Sequence, residues 1–354
     1  MSEPGGAARL RDVAAAAGVS VKTVSNVVHG YAHVADDTRL RVQRAIDELR
    51  YRPNLSARNL RRGRSGLVAL AVPELELPYF AELANHVVRA AEARGWIVLI
   101  DQTDGTRERE DLVLGGIRAH LIDGVIFNPL ASGRRELERR TDQTPLVLLG
   151  ERVYGGPVDH VSIDNVAAAH EVVAHLVGLG RTRIAAIGEQ RRRSAGTARL
   201  RLRGYTQALK ANGLPLDQDL VRTSESYHRA DGAAAMEALL ALPQPPDAVF
   251  CFNDLLALGA LRTLRDHGLR VPEDVAVAGF DDIEECAYST PGLTTVSPDK
   301  AAIAAMAVDL LASRLDRDDA GAAPRERTAP YRLVVRESTV GRAGPSGHEP
   351  AASG

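Results

Sequence analysis

Apolar residues change their period once along this chain, near residue 66, and the change divides it into a head and a body. From Leu10 to Leu49 they recur every three or four positions, the period of short helices with one buried stripe. Leu10–Ala17 reads as a first helix, with Val13 and Ala17 on one face and Gly18 at the position where glycine ends helices. Ser20 is a natural N-cap for a second helix, Val21–His29, with Val24, Val27 and Val28 as its buried face. Val19 and Val24 have the spacing of a hydrophobic staple. Asp36 or Asp37 caps a third helix running to Leu49, with Leu40, Ala45, Ile46 and Leu49 expected inward. Pro53 then forbids continuation. Asn54–Arg61 has the length of two helical turns, too short to stand alone in water, so it is expected to fold only against a binding partner.

Beyond residue 66 the pattern becomes short apolar runs alternating with longer amphipathic stretches. Strands are expected at Leu67–Val72, Trp96–Ile100, Gly124–Phe127 and Pro145–Leu149, separated by helices at Tyr79–Arg94, Arg107–His120 and Arg134–Arg140. A second round begins at strand His160–Ile163 and helix Val166–Leu179. It continues through strands Ile184–Ile187, Leu220–Thr223, Ala248–Cys251 and Val275–Ala278, with helices Arg199–Asn212, Asp231–Leu242 and Leu255–His267. Strand–helix alternation predicts parallel sheets wrapped by helices. Two such rounds of similar size predict two lobes with a cleft at the carboxyl ends of their strands.

Charge sharpens the division. The net charge of −2 hides twelve Lys+Arg against six Asp+Glu in residues 1–64, leaving −8 on the remainder. A basic head on an acidic body is the footprint of a DNA-binding domain joined to one that does not bind DNA. Apolar residues make up 45% of the chain and aromatics 4%, so aliphatic and alanine packing carries the core. No run of 18 apolar residues occurs, so no transmembrane helix is expected. MSEPGGAARL lacks the apolar stretch of a signal peptide. Cys251 and Cys286 do not make a disulfide framework, which fits a reducing cytoplasm. No dinucleotide, Walker, nucleophile-elbow or zincin motif is present, and no metal constellation; His170 and His175 have the wrong spacing for one helical face and read as surface residues. Neither an enzyme nor a cofactor is expected. The other alternative, a free sugar-transport protein, is disfavoured by the basic head.

Helix, short turn, helix is the helix-turn-helix grammar, whose second helix enters the major groove by its N-terminal end. There Lys22 can donate to guanine, Asn26 can pair with adenine and Val21 can meet a thymine methyl; ordinary exposed surface residues are the plain alternative. The run DVAAAAGVSVKTVSNVV, followed by VADDTRLRVQRAIDELRYRPN and A-R-N-L, resembles the lactose, galactose and purine repressor family over roughly Arg9 to Arg342. The resemblance implies a repressor that binds a palindromic DNA operator as a homodimer, with Leu60 wedged into the minor groove at its centre; alone, Leu60 reads as a linker residue. The positions expected at DNA are Arg11, Ser20, Val21, Lys22, Thr23, Ser25, Asn26 and His33 in the head, with Asn54, Ala57 and Leu60 in the hinge.

The same resemblance implies a periplasmic-binding-protein-like core holding a small effector, by default a sugar or sugar derivative. It divides the chain into the head at 9–52, hinge helix and linker at 53–65 and the effector-binding and dimerisation core at 66–340, while composition reads the Gly-rich residues 1–8 as a disordered start and the Gly-, Pro-, Ala- and Ser-rich residues 341–354 as a disordered tail without tetramerising leucines. Lobe 1 is expected over about 66–163 and 296–325, and lobe 2 over about 164–293 and 328–340. Positions matching Arg201, Asn253 and Asp281 would hydrogen-bond the effector, with Glu151, Tyr79, Phe80 and Tyr227 beside them; Glu151 stands where the family usually has Asp. Each has a plainer reading: Asn253 as a helix cap, Asp281 as a turn cap or as partner of Arg201, and Tyr79 and Phe80 as core. The triple Arg191-Arg192-Arg193 has no counterpart; a solvated loop is the first expectation and a contact to an anionic effector the second.

Overall fold

The computed structural model describes residues 8–28, 31, 33–51, 64–116, 120–190, 196–316 and 321–341. It separates into two compact units, Met1–Ser65 and Gly66–Gly354. The expected hinge helix, with Asn54, Ala57 and Leu60, lies outside the described residues, as do His29 and Arg191–Arg193.

The first unit contains α1 (Leu10–Ala17), α2 (Val21–Val28) and α3 (Asp36–Glu48) around Val13, Ala14, Ala17, Val24, Val27, Val42 and Ala45. Gly18 closes α1 at φ 62°. On α3 the expected inner face is partly wrong. Leu40 and Leu49 are 59% and 38% exposed, whereas Val42, which was not expected inside, is fully buried. Val42, Ala45 and Ile46 form the i, i+3, i+4 stripe, and Leu40 sits two residues off it, on the opposite side of the helix. Neither Asp36 nor Asp37 caps α3; Ala35 holds the N-cap position and the two acids occupy the first turn, where they favour the helix dipole.

The second unit holds two six-stranded sheets. Lobe 1 orders its strands β11-β5-β4-β3-β1-β2 and lobe 2 β12-β10-β9-β8-β6-β7. The first sheet takes β1 (Leu67–Val72), β2 (Ile97–Gln102), β3 (Gly124–Phe127), β4 (Leu146–Leu149) and β5 (Asp159–Ser162), with helices α4 (Pro78–Glu92), α5 (Arg107–Leu114) and α6 (Arg134–Glu138) between them. The second takes β6 (Ile184–Glu189), β7 (Val221–Thr223), β8 (Ala248–Cys251) and β9 (Ala276–Phe280), with α7 (Asn165–Gly178), α8 (Gly196–Ala211), α9 (Arg229–Leu240) and α10 (Asp254–Asp266). Pairing is parallel except where β10 (Thr294–Pro298) meets β12 (Tyr331–Val334). Side chains alternate between the two faces of the central strands: Val68, Leu70 and Val72 enter one core and Ala69 and Ala71 another. Phe250 and Phe280 likewise face opposite ways from Val249 and Val277. Both sheet faces are covered, as parallel sheets require.

After a short α11 (Glu285–Tyr288) the chain crosses between lobes twice more. Val296 was expected to begin the return to lobe 1; it lies instead in β10, inside the second sheet, and the crossing follows Pro298. α12 (Lys300–Leu315) then packs on α4 and on β3, β4 and β5. β11 (Glu326–Thr328) pairs with β5, so lobe 1 extends three residues past the expected 325 before β12 returns to lobe 2 and α13 (Glu337–Val340) follows. The expected helix to His120 stops at Leu114, where Gly115 caps it and Gly116 takes φ 69°. His175, expected at the surface, is half-buried and bonds Thr339 at 3.0 Å. α9 and α10 cross so closely that a Cβ on Gly232 would meet the carbonyl of Leu256, and one on Gly259 that of Arg229.

Within lobe 1 the connection from α12 to β11 is fastened to β5 by Asp159. Its fully buried carboxylate takes both forks of Arg314 at 2.7 Å and the N–H of Arg325 at 2.7 Å. Burial alone would raise this carboxyl; the two arginines and the amide outweigh burial and hold it below the usual range. Its stabilisation is therefore present above the ordinary carboxylate pKa and lost as pH falls through the folded value. Asp159→Asn is expected to cost on the order of 3 kcal/mol at pH 7 and to flatten the acid limb of stability, as measured by urea unfolding at pH 4 and pH 7.

Candidate functional site: an exposed helix and a two-lobed cleft

In the first unit α2 leaves its first turn open. Val21 is 47% exposed and Lys22 is exposed beside it, while Thr23, Ser25 and Asn26 are half-buried. Ser20 starts the helix as expected: its Oγ accepts the N–H of Thr23 at 3.0 Å and meets the Thr23 hydroxyl at 2.9 Å. These two side chains are thus engaged in the cap. Arg11, exposed, pairs with Asp12, and His33 is exposed. Arg39 donates to the carbonyl of Tyr31 at 2.9 Å and fastens the connection between α2 and α3.

In the second unit a cavity of about 350 Å³ opens between the lobes. All seven expected cleft residues line it, and they come from both sides. Tyr79 and Phe80 sit in the first turn of α4, where Pro78 supplies the helical φ at N1; their rings meet edge to face at 5.3 Å. Glu151 follows β4, and its carboxylate accepts the hydroxyl of Thr197 on α8 at 2.9 Å, a bond from lobe to lobe. Arg201 projects from α8, Tyr227 precedes α9, Asn253 follows β8 and Asp281 follows β9. All but Arg201, which stands in the second turn of α8, lie in the stretch after a strand or at the start of the next helix, the end of open α/β sheets where ligands bind.

Arg201 is 6% exposed. Its Nε donates to Asn165 Oδ1 at 2.8 Å, another N–H donates to the carbonyl of Phe252, and Asp281 Oδ1 lies 3.6 Å away. The guanidinium lies over the Phe280 ring at 3.5 Å. Asn253 does cap the next helix, accepting from Leu256 N at 2.9 Å, while its amide donates to the carbonyl of Tyr227 at 2.9 Å. Tyr227 in turn donates to Gly188 O at 3.1 Å. The plainer readings of Asn253 and Arg201 therefore hold together with their place in the cavity wall. Burial, then the nearby carboxylates of Glu151 and Asp281, push the Tyr79 phenol well above its ordinary pKa. The Asp281 carboxyl is raised by burial, against the pull of Arg201 and Lys300. Asp254, fully buried beneath it, is raised by burial and then by the charge of Asp281, although it accepts from Thr295 Oγ1 at 2.6 Å and Ile283 N at 3.1 Å.

Several residues of the site went unforeseen. Asn165 looked like part of a helix start, next to the true cap Asp164, yet it orients Arg201. Asn128 reaches the cavity on a loop fixed by Glu110, a fully buried acid that accepts N–H groups of Leu130, Ala131 and Ser132 at 2.5–3.1 Å. A glutamate in an amphipathic helix carries no mark of such a role. Among the described residues no group of three His, Cys, Asp or Glu side chains could hold a metal ion, and no helix is long and apolar enough to cross a membrane.

Residues 9–54 match the bacterial regulatory proteins of the lacI family, and residues 173–339 match the periplasmic binding protein-like domain. The HTH-type transcriptional repressor CytR of Escherichia coli (strain K12) is 33% identical over 94% of this chain and 96% of its own. The chain belongs to the lacI family. It is a DNA-binding transcriptional regulator and not an enzyme. Two solved structures extend the likeness to both units. The transcriptional regulator CelR in complex with cellobiose aligns at TM-score 0.69 and 34% identity over 94% of this chain and 99% of that one. The lac repressor dimer bound to operator and the anti-inducer ONPF aligns at TM-score 0.80 and 29% identity, with the same coverages.

Two outcomes are expected from these contacts. Ser20→Ala removes the α2 cap and should cost the head about 1 kcal/mol, visible as a lower unfolding midpoint of that unit. Because the Asp254 carboxyl is raised on folding, its contribution is held below the ordinary carboxylate pKa and lost as pH rises through the folded value. Asp254→Asn, which keeps the shape and can still accept from Ile283, should therefore raise the unfolding temperature at pH 8 relative to wild type more than at pH 5, as read by calorimetry.

Proposed function

We propose that this regulator is a repressor, that it binds a palindromic operator as a homodimer, and that a small polyhydroxylated effector in the cleft controls it. The observation that carries the reading is the cavity itself: seven side chains from two lobes converge on one space of about 350 Å³, within the range of small-molecule sites. Its chemistry favours a ligand rich in hydrogen-bond donors. Glu151 and Asp281 present acceptors, Arg201 a donor fork already partly engaged, and Tyr79, Phe80 and Tyr227 flat apolar surface. Sugars and nucleosides have that character, and cellobiose occupies the CelR complex.

In the head, Lys22, Val21 and Asn26 are assigned to base edges and Arg11, Ser20, Thr23, Ser25 and His33 to the DNA backbone or flanking contacts. Asn54, Ala57 and Leu60 complete the proposed interface, with Leu60 as the minor-groove wedge. The second copy has a natural place. β2 is an edge strand of the first sheet, and Ile97, Leu99 and Ile100 on it are 51%, 38% and 45% exposed. An apolar edge of this kind is an association surface unless something covers it, and the lac repressor neighbour is a dimer.

The test is a selection on random duplex DNA with the purified protein, repeated with ribose, cellobiose and a nucleoside pool. An enriched palindrome whose recovery changes with one pool is the expected result; no enriched sequence under any condition sinks the reading. Lys22→Ala should weaken operator binding by about 1–3 kcal/mol and relax one base position in each half-site, as measured by titration against single-base operator variants. Unchanged base preference would remove Lys22 from the reading set.

A further inference from the structure

Asp281 and Asp282 leave β9 with φ of 115° and 49°. The first value is sparsely populated for any residue with a Cβ, and such a backbone persists only where its neighbours over-determine it. Within lobe 2, Asp254 accepts the N–H of Ile283 at 3.1 Å and Arg336 donates to Asp282 Oδ1 at 2.8 Å; Lys300 adds the hold that comes from the helix packed on lobe 1. It opens α12, the helix packed on lobe 1, and its side chain reaches across to lobe 2. Its Nζ donates to Asp281 O at 2.7 Å and to Asp282 O at 2.9 Å. The third ammonium proton faces Glu82 Oε2 at 2.7 Å, so all three donors are used in a residue only 8% exposed. The other oxygen of Glu82 accepts the N–H of Glu284 at 3.1 Å. Lysine and glutamate together thus grip residues 281–284 from the lobe 1 side.

The grip links both walls of the cleft. Asp281 turns its carboxylate into the cavity beside Arg201. Glu82 stands three residues after Tyr79 on α4, the spacing of one helical face, and Tyr79 lines the opposite wall. The Lys300 ammonium also lies 6.0 Å from the centre of the Tyr79 ring. A ligand that draws on the Asp281 carboxylate moves two carbonyls that rest on Lys300, and through Glu82 it moves α4.

We propose that Lys300, with Glu82, is the positioning residue that fixes the Asp281 turn and ties its movement to α4 in the other lobe. Its regulatory meaning rests on reading the cleft as the effector site, but the grip is testable without any effector. Hydrogen exchange is followed by mass spectrometry on the full-length protein, with no ligand or DNA, for wild type, Lys300→Met, Lys300→Arg, Glu82→Gln and the double variant Lys300→Met/Glu82→Gln. Lys300→Met is expected to speed exchange at Asp282, Ile283, Glu284 and the first turn of α4 by about tenfold or more, the scale of a lost charge-assisted bond. Lys300→Arg, whose fork can still meet carbonyls and carboxylate, should stay within roughly threefold of wild type. The double variant should add little to Lys300→Met, because the two side chains act as one unit. The proposal is overturned if exchange rises evenly through both lobes together with a lower unfolding temperature, if no local rise occurs, if arginine fails to rescue, or if the two changes add independently. None of these results depends on what the cleft binds.

Discussion

A guanidinium sits at the floor of the cleft almost out of contact with water, and the arrangement of the second lobe around Arg201 follows from the cost of keeping that charge there. An unpaired buried cation is strongly unfavourable. Arg201 is therefore given an amide oxygen from Asn165, a backbone carbonyl from Phe252, a carboxylate from Asp281 and the face of Phe280. Those four partners come from the start of α7, the end of β8 and the end of β9. A single charge thus draws three segments to one point, and a polar ligand arriving there finds its counterpart already oriented.

The carboxylates answer to the same constraint. Asp281 is raised by burial and lowered by Arg201 and Lys300, so its protonation depends on how closely those cations are held. Asp254 lies beneath it and is raised further by its neighbour's charge. Movement of the Asp281 turn changes the hydrogen bonds on Lys300 and the electrostatics around Tyr79 at once. Under the proposed effector control, a ligand acts by its differential affinity for different placements of this turn. Glu151 adds a direct bond to Thr197 across the opening, so the two lobes are in contact there.

Much of the fold was legible because parallel sheets covered on both faces leave short, unbroken apolar runs. The bounds of β1, β3 and β8 follow from LVALAV, GVIF and AVFC directly. The cleft residues were legible from the resemblance to a repressor family together with their places after strands. What failed did so where local pattern and tertiary placement part. Leu40 is apolar yet turned outward, because Val42, Ala45 and Ile46 already fill the stripe that α3 presents to its neighbours. Val296 is apolar and lies in a strand, but no local feature says which of two sheets that strand joins. Lys300 looks like any lysine in the first turn of a helix.

By itself the sequence determined the separation of a basic helical head from an acidic α/β body, the cap at Ser20, the alternation of strands and helices, and the family. These depend on periodicity, on turn residues and on charge counted along the chain, all of which are local. Only the tertiary structure decided that β10 joins the second sheet and β11 the first, that Asn165 and Phe252 hold Arg201, that Glu110 fixes the loop carrying Asn128, and that Lys300 spans from α12 to the Asp281 turn. Those are contacts between residues tens to hundreds of positions apart. Their partners are chosen by the geometry of packed sheets and by the cost of leaving a buried polar group unmatched, and neither is written in the spacing of residues along the chain.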